Sequence, residues 1–508
     1  MKIKGNLLKI WLVQALMFIL MFIYFAKISP LVPYDADDWL FNGTIRLPFP
    51  MWRVFNPTRV LPEILMPMGG YLASLIIFPF TGKYIESITF VDAFIVSIFL
   101  VIVLYAFYLL LRQGFKYSTN TSLASEVFFL FSFFLIFKHV NVPSASAFWT
   151  VDLTCVFFYL IPGLLNIAVL LIIARSKDFN ISYKKYDNLK KGIFILVLYF
   201  SLFSNTQFNI ILATFSFCVL LKRAIKKEYK DKGITQIVKA NMIYFLILLI
   251  WGITVIFDLN GGRANGLSTR SSFSESLLIS IHSFISLLKG INKYFLIISI
   301  VIVISSIVLN ILGSKKKNYV ESDKFLWLNI ELILSSLLSL IYLLLAYAKS
   351  IPSYASRIDA MLAVLLLFLL IIGLDTAYLI NRFNFIKMLV PLAIVLCGFI
   401  ALNFNCRPIY SLTGGVNPST AKKIDMYIIN QVVKADKEGK SVAVVKVPEN
   451  RDSNNWPQAF YLSRGLQNSL YSQGIISRRI PIKIRPDRKI NYILGNSLNS
   501  EGFEPLEK

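Results

Sequence analysis

Histidine and cysteine are scarce in this chain. Two histidines, His139 and His282, stand among 508 residues, with four cysteines at Cys155, Cys218, Cys397 and Cys406. Three of the cysteines lie in or beside apolar runs and the fourth just past the last one. No CxxC or Cys/His spacing occurs, which excludes a zinc module, a histidine-rich metal site and a disulfide framework. No glycine-rich phosphate loop is present, so no nucleotide cofactor is expected. Internal repeats, heptads and low-complexity tracts are also missing. Charge is thin, at 16% of residues, and unbalanced: 52 Lys and Arg against 28 Asp and Glu, a net +24. That excess does not call for nucleic acid. Much of it sits in short loops between apolar runs, where the positive-inside rule accounts for it.

What the chain has is apolar length. Hydrophobic residues make up 56% and the mean hydropathy is +0.65, more than a soluble protein of this size can bury. Runs near the ~20 residues needed to cross a bilayer are expected to span at 8–28, 88–111, 123–138, 152–174, 192–204, 208–221, 241–257, 293–312, 325–346, 359–380 and 387–404. The first follows a basic start, but its core is long and no clean cleavage site follows, so a retained helix is expected rather than a signal peptide. Connections at 175–191, 222–233, 313–324 and 381–387 are rich in Lys and Arg and are expected to be cytoplasmic, with the N-terminus. The fold class is therefore an α-helical polytopic membrane protein of about 11 spans over residues 1–404. Segment 67–80, flanked by Pro and Gly, reads as an interfacial or re-entrant helix. The pair 192–204 and 208–221 is short, with polar "SNTQFN" between, which asks for burial in protein or beside a watery cavity.

Residues 405–508 change character. A helix over 420–439, strands over 441–448 and 480–487, and a helical stretch over 456–475 make a small extracytoplasmic α/β region.

The outer loop 29–87 carries "YDADDWLFNGTIRLPFPMWRVFNPTRVLPEIL". Asp35, Asp37 and Asp38 fall within four positions, followed by Trp39, Trp52, Arg53, Asn56, Arg59 and Glu63. An ionised carboxylate beside apolar surface is costly unless partnered, and Arg53 and Arg59 are partners within reach of the same loop. A carboxylate so held can act as general base on a hydroxyl or bind a divalent cation, the one cofactor these residues admit. The plainer alternative is an acidic turn that caps the next helix. Other outer loops add Arg263 and Arg270 in a Gly/Ser-rich stretch, and Lys349, Tyr354 and Arg357 before a span. Arginine at the outer boundary is unforced by the positive-inside rule, and its fork suits a phosphate headgroup. Snorkelling to lipid phosphates competes with that reading, more strongly for Arg263 than for Arg357. His139 reads as a solvated loop residue.

The first helix, "DADDW", "WRVFNPTR", the many spans and the tail stretch "DSNNWPQAFYLSRGLQNSLYSQGI" (452–475) together resemble the GT-C class of membrane glycosyltransferases. The nearest likeness is to bacterial polytopic proteins with a DDW-type first loop, including O-antigen glucosyltransferases and a related uncharacterised group. The resemblance covers the whole architecture, with its specific residues in 35–63 and 452–475. It implies a polyprenyl-phosphate-linked sugar donor, a surface glycan or glycolipid acceptor, and inverting transfer on the outer face of a bacterial plasma membrane. By the same resemblance Asp37 is the base, with Asp38 orienting it or taking the role, and Arg357 then Arg270 meet the donor phosphate. Asp35 is a third acid ahead of the pattern, a departure that leaves the aspartate aligned with the base open. The alternatives are a flippase for lipid-linked saccharides, for which Asp92 and Glu331 are the few charged groups in or near spans, a glycan polymerase, or a scaffold whose basic tail meets acidic glycans or lipid headgroups.

Overall fold

The computed structural model describes residues 2–137, 146–176, 178–228, 233–266, 272–314, 319–383, 416–450 and 453–493. Among them, nine helices are long and apolar enough to cross a membrane, from Leu7–Ile28 to Leu362–Arg382. The protein is a helical, multi-pass membrane protein. Its most enclosed span is Leu153–Arg175, 94% buried, against 17% for Lys293–Gly313. The sequence explains the difference, since "IPGLLNIAVLLIIAR" is apolar on every face and suits a helix surrounded by helices.

Two expected spans come out shorter. Segment 123–138 is the 17-residue helix Thr119–Leu135 and segment 192–204 the 15-residue helix Asn188–Leu202, both short of a full crossing. Segment 387–404 lies outside the described residues. Conversely, 67–80 is not an isolated interfacial piece: it belongs to the 22-residue apolar helix Val60–Thr81, which passes through a π turn at Ala73–Ile77.

The polar break 203–205 is fully used. Asn205 caps the helix Thr206–Ile225 and accepts from Gln207 N at 3.0 Å, while its Nδ2 donates to the Phe158 carbonyl at 2.9 Å. The Phe203 carbonyl, freed where the preceding helix ends, accepts from Val60 N at 2.9 Å and Leu61 N at 3.1 Å. One helix end thus satisfies the orphan donors of another, and the break fixes where Arg59 stands.

In the tail, strands β1 (Ala443–Val447) and β2 (Ile482–Pro486) pair in parallel, Ala443 opposite Ile482, and the helix Leu462–Ser472 lies in the crossover between them. The inward residues of β1, Ala443, Val445 and Val447, are buried together with Ile424, Ile428 and Val432 of the helix Pro418–Lys437. The crossover helix packs on the short helix Ala36–Asn42, which follows the first span. Ser469 Oγ donates to the Trp39 carbonyl at 2.7 Å, and Gln473 Nε2 to the Asn42 carbonyl at 3.0 Å. Backbone meets backbone here: a Cβ on Gly465 would lie 2.6 Å from Leu40 N, and one on Gly43 would meet Ser469 N closer still.

Gly465→Ala is therefore expected to cost about 1–3 kcal/mol by overpacking. Limited proteolysis and thermal unfolding of the purified variant should show faster cleavage in the tail and a lower Tm.

Candidate functional site

Three aspartates within four residues receive three different environments. Asp35 is the N-cap of the helix Ala36–Asn42; its carboxylate accepts from Asp37 N at 2.7 Å. Asp38 stands at the third helical position and reaches back to complete a capping box. Its Oδ2 accepts from Tyr34 N at 3.0 Å and Asp35 N at 3.2 Å. Its Oδ1 accepts from Thr154 N at 2.7 Å and Thr154 Oγ1 at 2.8 Å. Both residues are buried, and both carboxyls are pushed up from the usual range, first by burial and then by Asp152. Asp37 differs: it is half-buried and its side chain makes no hydrogen bond among the described residues. Burial also raises its pKa, while the positive charge of Arg263 draws it back down.

The cations near Asp37 gather around Tyr159, on the π turn Val156–Leu160. Arg263 Nη2 donates to Tyr159 Oη at 3.2 Å. The guanidinium of Arg59 lies 5.9 Å from the Tyr159 ring and 5.3 Å from that of Phe158. That of Arg357 lies 5.8 Å from Tyr159 and 4.4 Å from Tyr354. Arg357 is forked onto Asp359, Nε at 3.0 Å and Nη2 at 2.7 Å, leaving Nη1 unbonded to described residues. Arg59 is 5% exposed, yet its guanidinium has no ion pair or hydrogen bond among the described residues. Burial and the charge of Arg263 both depress its pKa. A buried charge without a counter-ion costs several kcal/mol, so the group is poised for an anion.

Backbone contacts place these side chains. Arg46 donates to the carbonyls of Asn56 at 2.6 Å and Pro57 at 3.1 Å and pairs with Glu63 at 2.9 Å, folding the first loop back on its own helix. The segment bearing Arg263 docks on that loop through Gly262 N to Val54 O at 2.9 Å and Arg263 N to Phe55 O at 3.2 Å. A Cβ on Gly261 would come within 2.8 Å of Pro57, so the glycine pair serves close approach rather than looseness.

Of the residues singled out from sequence, Asp37, Arg59, Tyr354 and Arg357 come together. Asp35 and Asp38 are consumed in fixing the helix. Trp39 is buried and stacked on Tyr84. Trp52 and Arg53 stand exposed at the loop tip, Trp52 edge-on to Phe257. Arg270 and His139 lie outside the described residues. Arg263 and Tyr159 belong to the cluster and carried no sharp sequence signal; the Gly-Gly ahead of Arg263 was the available hint. No group of three or more metal-ligating side chains with suitable geometry occurs among the described residues. No family model matches the chain, and no curated protein or solved structure matches it.

Two substitutions should separate scaffold from site. Asp38→Ala strands four donors and is expected to lose at least 2–3 kcal/mol, roughly the cost of one or two buried unsatisfied groups. Arg59→Met removes an unpaired buried charge and should hold or raise Tm by thermal unfolding in detergent. The Asp37 carboxyl, raised by burial, binds its proton more tightly folded than unfolded. Its contribution favours the fold below the ordinary carboxylate pKa and is lost as pH rises through the folded value, a slope that Asp37→Asn should abolish.

Proposed function

We propose that the protein is a GT-C-type glycosyltransferase that moves a sugar from a polyprenyl-phosphate-linked donor to a glycan or glycolipid acceptor, with the chemistry at the outer end of the bundle. The observation that carries this reading is that Asp37 makes no side-chain hydrogen bond among the described residues and lies under the charge of Arg263, which shares Tyr159 with the buried guanidinium of Arg59, itself without an ion pair among those residues. A lipid phosphate supplies the missing counter-charge, and Arg263 and the free Nη1 of Arg357 add donors beside it.

In this mechanism Asp37 accepts the proton of the acceptor hydroxyl as its oxygen attacks the anomeric carbon. The bond between that carbon and the phosphate oxygen breaks, and the electron pair leaves with polyprenyl phosphate. The arginines stabilise charge growing on the leaving phosphate, so no strong general acid is needed. Attack opposite the leaving group inverts the anomeric centre. The basic loops at the other end support placing this chemistry on the outer side of the membrane.

Glycosyl transfer is favoured over a flippase because Glu331, one of the charged groups near a span, is already paired with Lys222 at 2.9 Å. The groups that the transfer reading uses, Asp37 and the arginines around Tyr159, stand at one end.

The test is transfer by purified protein given polyprenyl-phosphate sugars and candidate acceptors. Asp37→Asn should fold normally and lose about 10²–10⁴-fold in rate, the usual worth of a general base. Since the base works ionised and burial raises its pKa, the acid limb of kcat/KM should lie above the ordinary carboxylate value of about 4. Transfer by folded Asp37→Asn at the wild-type rate would falsify the assignment.

A further inference from the structure

A second polar cavity lies at the far end of the same helices. Leu153–Arg175 starts beside Asp38 and ends, ~35 Å away at 1.5 Å per residue, at a cavity of about 1220 Å³. The C-terminal ends of Tyr84–Gly114, Leu153–Arg175 and Thr206–Ile225 and the first turns of Tyr319–Lys349 wall it. Seven Lys and Arg residues line it against four Asp and Glu. That is an excess of three positive charges.

The four acids are already engaged. Asp178 and Glu228 face Arg223, at 3.3 Å and 4.0 Å. Asp323 holds Lys226 at 2.6 Å and Glu331 holds Lys222 at 2.9 Å. Arg175, Lys185 and Lys324 are left with no carboxylate among the described residues. Arg175 donates only to Tyr186 Oη, at 3.2 Å. Lys324 is held by the helix-terminal carbonyls of Gly114 at 3.1 Å and Arg175 at 2.9 Å. Those carbonyls carry partial negative charge but no full counter-ion. The positive-inside rule places cations in loops; it does not require them to converge on a walled space large enough for a ligand.

We propose that this cavity binds a phosphate group, with Arg175, Lys185 and Lys324 supplying the charge. Basic pockets between helices on the positively charged side of a membrane protein suit phosphate headgroups, and a soluble phosphate ester presents the same chemistry. The inference stands apart from the proposed transferase activity and uses none of its residues.

The test uses the full-length protein, wild type beside Arg175→Gln/Lys185→Gln. Neither side chain is in an ion pair, so the double variant loses one hydrogen bond, and circular dichroism verifies its fold. In one arm, protein in nanodiscs of mixed phosphatidylglycerol and phosphatidylcholine is delipidated stepwise, and retained lipid is read by intact mass spectrometry. In the other, inorganic pyrophosphate is titrated calorimetrically into detergent-solubilised protein. Saturable binding in at least one arm is expected, weakened about fivefold for each cation removed. Selective retention of phosphatidylglycerol identifies a lipid headgroup; binding of pyrophosphate alone identifies a soluble phosphate. Saturable binding in neither arm, or binding equally tight in wild type and the double variant, overturns the proposal.

Discussion

The end of the bundle that bears the candidate site depends on the carboxylate of Asp38. Its four hydrogen bonds tie Tyr34 and Asp35, just past the first span, to Thr154 at the start of the central span. A charge-assisted acceptor is worth more than a neutral one, and burial makes each bond costly to lose. With Asp38 spent on position and Asp35 spent as cap, the turn between them must present Asp37. The neighbouring acids make one carboxylate available in a fixed direction by tying themselves down.

The same economy governs the cations. Arg46 is held through both terminal nitrogens by backbone carbonyls and Glu63, and Arg357 is held on one side by Asp359. Arg59 has no ion pair or hydrogen bond from its guanidinium among the described residues, and it is 5% exposed. Cation–π contact with Phe158 and Tyr159 offsets part of the cost of that burial, on the order of 1–2 kcal/mol, but supplies no counter-ion. The tail packs against the arrangement, with Gly465 and Gly43 allowing the crossover helix and the aspartate helix to touch backbone to backbone. The two stretches that carried the resemblance in sequence, 35–63 and 452–475, are thus in contact.

Much of this was legible beforehand, for physical reasons. Apolar runs report spans directly, and eight of the expected segments fall within the nine long apolar helices. The ninth, Val60–Thr81, was obscured because Pro and Gly inside it look like breakers, yet Gly69 and Gly70 are packed against Asp92, Asn42 and Gln473. Alternation in "SVAVVKVP" (441–448) and the amphipathic run at 420–439 gave the tail. Which aspartate was free could not be read from "DADD", because capping depends on where the helix begins. Arg263 was discounted in favour of snorkelling to lipid phosphates, while in the fold the glycine before its segment permits close contact with Pro57. Trp52 and Arg53 were drawn in by sequence proximity alone.

The central claim is that the space beside Asp37 holds a lipid phosphate between Arg59, Arg263 and Arg357. Its most direct test is the dissociation constant of polyprenyl phosphate for wild type, Arg59→Met and Asp37→Asn in nanodiscs. Loss of a charged hydrogen bond worth about 1.5–3 kcal/mol predicts binding weaker by roughly 10–100-fold in Arg59→Met. Asp37→Asn, which removes a like charge, should bind as tightly as wild type or more so. Equal affinity in wild type and Arg59→Met would contradict the account.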